Sequence, residues 1–393
     1  MKCPETKPEC ENCISKDLKC EYPRRRVRGD DGLGTIESIP VEPNPTPFSV
    51  QDMGFFHHYL LVAHPYLPLG CDDAWVASIP LLSHQYEFVM HAILGLGAAH
   101  LSIIRPNGDP ITAANAIEHR GKALKGMQGI MTKQDLSSRE LDALLATCYA
   151  LTMQSGYMFD ALTDFVIFIR GCVLVTYKIE QKNAADSVFP WEKTARRTRF
   201  VPESTGPLMV DPTLLQSGIE SLQSLTPLLE DEVHIHFRKC ISDTLIAVRD
   251  SSKDAFLAYE KNYSAWYDIS HAQFSRFISP DNTTTLILFA YLIATETIMI
   301  PTLSSVLPER ARVPEVTLYQ SQWVDVIYRK LPPHLVQYIR WPLEAIYCCG
   351  TQHNIFSLEV GKSLQRTFLG YVKGYDDGGM ALPIYTKISN KPE

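Results

Sequence analysis

Ser137-Ser-Arg-Glu140-Leu141-Asp-Ala-Leu144-Leu145-Ala-Thr-Cys148-Tyr149 is the stretch on which the fold class turns. A serine followed three residues on by a glutamate has the form of a capping box, in which each side chain bonds the other residue's backbone N–H. Behind it Leu141, Leu144, Leu145, Cys148 and Tyr149 fall at i, i+3, i+4, i+7 and i+8. That spacing puts them on one stripe of an amphipathic helix.

The same grammar recurs on both sides. Ser49-Val-Gln-Asp52 has the capping form before Phe55, Phe56, Tyr59 and Leu60. Trp75 to Pro80 reads as a short connector, and further helices are expected over about 83–104 and 112–131. A helix from Asp160 to about Ile179 is nearly apolar all round (Leu162, Phe165, Val166, Ile167, Phe168, Ile169), which predicts a place in the centre of the body. Residues 183–212 look irregular. Helices resume at roughly 213–224, 228–250, 254–278, 282–300, 315–330, 334–349 and 354–371, with Pro332-Pro333 suited to a first turn. Alternating β-branched runs bounded by hairpin turns are absent. The expectation is an all-α body of about ten to twelve helices. Thr284 to Ile300 is the best membrane candidate, but it contains Glu296, stops at Pro301 and is shorter than the roughly 20 apolar residues of a spanning helix. It reads as a core helix, so no membrane span is expected.

The amino end is different in kind. Cys3, Cys10, Cys13 and Cys20 form Cys-x6-Cys-x2-Cys-x6-Cys, while the other six cysteines are spread over the rest of the 393 residues. Four thiolates so spaced can converge on one tetrahedral zinc, with Zn–S bonds of about 2.3 Å. The net charge of −7 is also unevenly placed. Residues 1–28 hold eight Lys/Arg against five Asp/Glu, and the remainder holds 29 against 39. A basic head on an acidic body suits a nucleic-acid contact confined to the head. No apolar run marks a secretory signal, which favours a reducing compartment where thiols bind metal. Cys71, Cys148, Cys172, Cys240, Cys348 and Cys349 sit mostly in apolar contexts and read as small buried hydrophobes.

This segment resembles the second two-thirds of the fungal binuclear zinc cluster, in which six cysteines hold two zincs. Cys3, Cys10, Cys13 and Cys20 match its third to sixth ligands, Lys2 the basic residue before the third, and Pro8 the proline of the joining loop. Tyr22-Pro23 and Arg24-Arg25-Arg26-Val-Arg28 match the usual exit into a basic linker. The resemblance implies zinc as cofactor, Cys3, Cys10, Cys13 and Cys20 as its ligands, and Lys2, Lys7, Arg24, Arg25, Arg26 and Arg28 as DNA phosphate contacts. In the family a first Cys-x2-Cys and a base-reading helix come earlier in the chain. Two explanations stay open. Either coding sequence lies upstream of Met1, which the full set of remaining ligands favours, or the protein works without its reader.

The body carries a longer resemblance. Phe55-Phe-His57-His58-Tyr59-Leu60, then Trp75, then His91-Ala-Ile-Leu-Gly-Leu-Gly-Ala-Ala-His100-Leu101 resembles the opening of the regulatory domain of sterol uptake control-type fungal regulators. Leu286–Ile300, Trp323 and Trp341-Pro342-Leu343-Glu344 resemble its final helices. The resemblance implies a helical effector domain, which in sterol-sensing members encloses a small apolar effector.

Catalytic readings fare worse. Gly95-Leu-Gly97-Ala-Ala-His100 lacks the third glycine of a dinucleotide motif and a preceding strand, so close helix packing is expected instead. Gly361-Lys362-Ser363 ends like a phosphate-binding loop, yet position 356 is Phe. His57, His58, His64 and His234-x-His236 could ligate metal, but on a helix His234 and His236 point about 200° apart. No Gly-x-Ser-x-Gly elbow or His-Glu-x-x-His occurs. The chain is therefore read as four parts: a partial zinc-cluster segment with basic tail (1–28), a Pro/Gly-rich linker (29–47), an all-helical effector domain (48–375) and a tail (376–393). The function expected is a zinc-dependent RNA polymerase II-type transcription regulator in the nucleus, not an enzyme, with DNA and a homo- or heterodimer partner. The alternative is a helical ligand or protein-interaction module without DNA contact.

Overall fold

A computed structural model describes residues 15, 48–105, 109–182, 186–189, 210–229, 231–307, 314–354, 356 and 359–376. The expected cysteine segment, the linker, much of the 183–212 connection and residues 377–393 lie outside them. The chain divides into Met1–Phe48 and Ser49–Glu393, and apart from Ser15 and Phe48 the described residues belong to the second unit.

α1 is Val50–His58. Its capping box forms as the sequence predicts: Asp52 N donates to Ser49 Oγ (3.1 Å) and Ser49 N to Asp52 Oδ2 (2.7 Å). It runs on into a π-helical turn, Tyr59–Ala63. The expected connector at Trp75–Pro80 is instead helical, a π turn over Ala74–Ser78 leading into α2, Ile79–Ser83. Pro80 sits at the junction, in the first turn of α2, where the preceding N–H, that of Ile79, bonds Ala74 O of the π turn. α3 spans Glu87–Ile104, α4 Pro110–Met131, α5 Ser138–Gly156 and α6 Leu162–Gln181. Ser137 and Glu140 make the second predicted box.

α7 (Pro212–Ser224), α8 (Glu232–Ala247), α9 (Ser252–Ser264) and α10 (His271–Phe277) follow. Then come α11 (Thr283–Val306), α12 (Pro314–Lys330), α13 (Arg340–Gln352) and α14 (Glu359–Asp376). The fold is all-α, with fourteen α-helices and no strand among the described residues. The expected helix over 254–278 divides in two, because Ser270 makes its own capping box with Gln273 and starts α10. α11 does not stop at Pro301 but carries it inside and ends at Val306. Pro332-Pro333 lies in a turn ahead of a short 3-10 stretch, Val336–Ile339, rather than in an α-helical first turn.

Burial corrects one expectation. The most enclosed helices are α3, buried from His91 to His100, α5, buried from Leu141 to Gly156 except Tyr149, and α11, buried from Ile287 to Thr295. α6 exposes Thr163, Ile167 and Tyr177. It is not the centre of one core but a wall shared by two. Its Leu162 and Val166 join the core built on α8 and α11, and its Phe168, Cys172 and Ile179 join that of α3 and α5. α3 and α11 are long and apolar enough to cross a membrane, but 67% and 72% of their apolar windows are buried inside the packed body.

Two buried guanidinium groups bolt the helices together. Arg120 of α4 donates to Leu151 O (3.3 Å), Gln154 Oε1 (3.3 Å), Ser155 Oγ (3.1 Å) and Asp164 Oδ2 (2.8 Å). Arg170 of α6 donates to Trp266 O (2.9 Å) and Ile269 O (2.7 Å) and lies 4.3 Å over the Phe274 ring.

Small residues set the helix spacing, as the Gly95–Gly97 run predicts. A Cβ on Gly97 would lie 2.3 Å from Phe55 O, so α1 rests on the backbone of α3. We expect Gly97→Ala to lower stability by about 1–3 kcal/mol in urea unfolding. Gly121→Ala, whose Cβ meets nothing within 4 Å, should raise it by up to about 1 kcal/mol. Arg170→Met should cost about 2–4 kcal/mol by the same measurement, because it strands two buried carbonyls.

Candidate functional site

Cys3, Cys10, Cys13 and Cys20, with Lys2, Lys7, Arg24, Arg25, Arg26 and Arg28, lie outside the described residues; Ser15 among them is an exposed turn position. Within the described residues no three His, Cys, Asp or Glu side chains converge as a metal site.

The remaining cysteines behave as small buried hydrophobes. Cys71, Cys148, Cys172, Cys240 and Cys349 are buried and Cys348 is half-buried, all as free thiols. Burial pushes the Cys172 thiol well above its ordinary range and those of Cys348 and Cys349 up to about 12. Thiols so held are poor nucleophiles.

The candidate histidines separate in the same way. His234 is buried and bonded to Thr285 Oγ1 (3.0 Å), whereas His236 is exposed on the other face of α8, as the helical angle requires. His64 is buried against Tyr59 O (3.2 Å). His57 is exposed. Gly361-Lys362-Ser363 lies within α14, not in a loop.

The sequence reading does not foresee a seam of paired histidines where α1 meets α3 and α4. His58 Nε2 lies 2.8 Å from His100 Nδ1, and His91 Nδ1 lies 3.0 Å from His119 Nδ1. The far nitrogens of the second pair face carboxylates, His119 Nε2 at 3.0 Å from Asp52 and His91 Nε2 at 3.5 Å from Glu87. Two nitrogens on one tetrahedral zinc, each at about 2.0–2.1 Å, stand about 3.4 Å apart. At 3.0 Å the His91–His119 contact suits a shared proton better. Burial holds His91 below its ordinary value and takes His100 down to about 4. The signal for this seam is in the sequence: His91 and His100 interrupt a helix otherwise made of apolar and small residues.

At the other end of the body a cleft of about 360 Å³ opens between α12, the turn at Pro332–Leu335 and α14. Tyr328, Pro333, His334, Val336, Gln337 and Tyr371 line it. The Tyr328 and Tyr371 rings stack with centroids 3.7 Å apart. Tyr371 donates to Oδ1 of the buried Asp325 (2.6 Å), which also pairs with Arg329 (2.7 Å). The volume falls in the range of small-molecule sites, about 300–1,000 Å³. Its lining mixes imidazole and amide with proline, valine and tyrosine rings and is not the apolar enclosure that the resemblance implies. A second pocket, beside Trp323, holds about 20 Å³, roughly the space of one water.

No model of a known protein family matches the chain. Over 188 residues it is 26% identical to the Zn(2)-C6 fungal-type transcription factor afumD of Aspergillus fumigatus, a match covering 44% of this chain and 50% of that protein. Over 129 residues it is 30% identical to sterol uptake control protein 2 of Candida albicans, covering 30% of this chain and 17% of that one. Over 107 residues it is 31% identical to the Saccharomyces cerevisiae protein of the same name, covering 26% and 11%. The chain thus matches half the length of the first relative and under a fifth of the other two. Its relatives include fungal zinc-cluster transcription factors and sterol uptake control proteins, at modest identity and partial coverage.

Tyr371→Phe tests the cleft wall. Removing the phenol leaves the buried Asp325 with one bond fewer, so thermal unfolding should show a loss of about 1–2 kcal/mol. Tyr328→Phe keeps the ring stack and should be nearly neutral.

Proposed function

We propose that this chain is a fungal-type zinc-cluster transcription regulator, acting in the nucleus on RNA polymerase II genes. A metal-held basic segment (1–28) is joined by a linker (29–47) to a helical effector domain (48–375) with a short tail (376–393). The observation that carries the reading is the 188-residue similarity to a Zn(2)-C6 transcription factor in a chain that also has Cys3, Cys10, Cys13 and Cys20 at zinc-binding spacing.

The chemistry agrees with it. Four thiolates close a tetrahedral shell on one zinc, and the metal supplies folding energy to a segment with almost no apolar residues of its own. Lys2, Lys7, Arg24, Arg25, Arg26 and Arg28 are placed to neutralise backbone phosphates, which gives affinity and register rather than base reading. The helical body has no nucleophile elbow or metal-ligand cluster among its described residues and suits regulation better than catalysis. Dimer formation with a second copy or a relative would pair two basic segments on adjacent half-sites.

Native mass spectrometry of the purified chain should find one zinc, and Cys10→Ser should lose it. Replacing Arg24, Arg25 and Arg26 by alanine should weaken DNA binding across all sequences. The slope of log affinity on log salt should become shallower by about 0.9 for each phosphate that is no longer neutralised. A zinc-free chain with no affinity for DNA would sink the regulator reading and leave a helical ligand or protein-interaction module.

A further inference from the structure

α1 is held against α3 by the His58–His100 contact and against α4 by the Asp52 carboxylate on His119, which also meets His91 of α3. In an N···N contact one nitrogen donates and the other accepts, so neither the His58–His100 contact at 2.8 Å nor the His91–His119 contact at 3.0 Å survives when both of its rings are charged. Beside the first of these pairs the backbones of α1 and α3 are in close contact, where a Cβ on Gly97 would lie 2.3 Å from Phe55 O.

The charges around the two pairs differ. At the His91–His119 pair, α1 supplies Asp52, α3 supplies Glu87, and α4 supplies Glu118 and Lys122. Its carboxylates lie within reach of the far ring nitrogens, Asp52 of His119 and Glu87 of His91. At the His58–His100 pair the neighbouring basic groups are Arg105 from the end of α3, itself paired with Asp109, and the His57 imidazole from α1. The Tyr157 phenol at the end of α5 faces His100 edge-on, with centroids 5.3 Å apart, and α5 otherwise presents the Gln154 amide to α3 and α4. Among the described residues neither His58 nor His100 bonds a carboxylate.

We propose that α1 is an acid-released latch: proton uptake by His58 and His100 frees α1 from α3 while the rest of the body stays folded. The device does not depend on the zinc or DNA reading.

The direction of the effect follows from burial. Docking holds His58 below its ordinary value and His100 at about 4, while a freed imidazole titrates near 6.5. The latch is therefore fully closed above about pH 6.5 and weakens as pH falls toward 4, by about tenfold in the opening equilibrium per pH unit for each such histidine.

Amide hydrogen exchange of the full chain at pH 7.5 and 5.0, corrected for intrinsic rates, tests this. Opening of α1 should rise at least about tenfold for each of the two histidines that titrates, while α11 stays protected. The His58→Asn/His100→Asn variant, which cannot take up these protons, should lose most of that pH dependence. The proposal is overturned if α1 protection is flat over this range, if α1 and α11 open together, or if the double variant keeps the wild-type pH dependence. The comparison of α1 with α11 in the wild-type chain decides the matter even if the variant does not fold.

Discussion

The structure depends on α6 serving two apolar cores at once. Leu162 and Val166 close one core and Phe168, Cys172 and Ile179 the other. Its Lys178 and Glu180 reach solvent, but position 170 falls where the helix faces the C-terminal half. Arg170 is consequently buried and answered by the carbonyls of Trp266 and Ile269 and by the Phe274 ring, all in the C-terminal half. A buried cation satisfied by backbone oxygens fixes geometry more strictly than apolar packing, because any displacement strands both the charge and the carbonyls. Trp323 repeats the device across the same boundary, its indole donating to Met158 O at 2.9 Å.

α1 is attached differently. Its apolar face offers chiefly Phe55 and Tyr59, and much of its length is exposed, with Val50 and Met53 open to solvent. What orients it is a close backbone approach at Gly97, the His58–His100 contact and the Asp52–His119 bond. The body therefore combines a strongly bolted interior with a first helix whose seating is polar and titratable.

Much of the fold is legible in the sequence because helix starts are local chemistry. Ser49 with Asp52 and Ser137 with Glu140 form the boxes their spacing predicts, and the Gly95–Gly97 run marks a close helix approach. The errors share a cause as well. Pro301 is taken as a stop, but its helix continues to Val306, with Pro301 on the solvent side and Leu303 and Val306 packed against the core. The Trp75–Pro80 stretch is too short to show a period, so its helical character is invisible without its neighbours. α6 looks central by composition, yet an all-round apolar surface says only that several sides are covered and does not say by what.

The sequence by itself determined the helical class, most helix beginnings and a cysteine-rich basic segment with zinc-binding spacing, since each rests on residues a few positions apart. Tertiary structure decided which histidines meet, which helix divides the two cores, and that the cleft at Tyr328 and Tyr371 lies between α12 and α14. Those facts join residues tens of positions distant, and no local propensity or spacing encodes such meetings; they exist only once the apolar faces have chosen their partners.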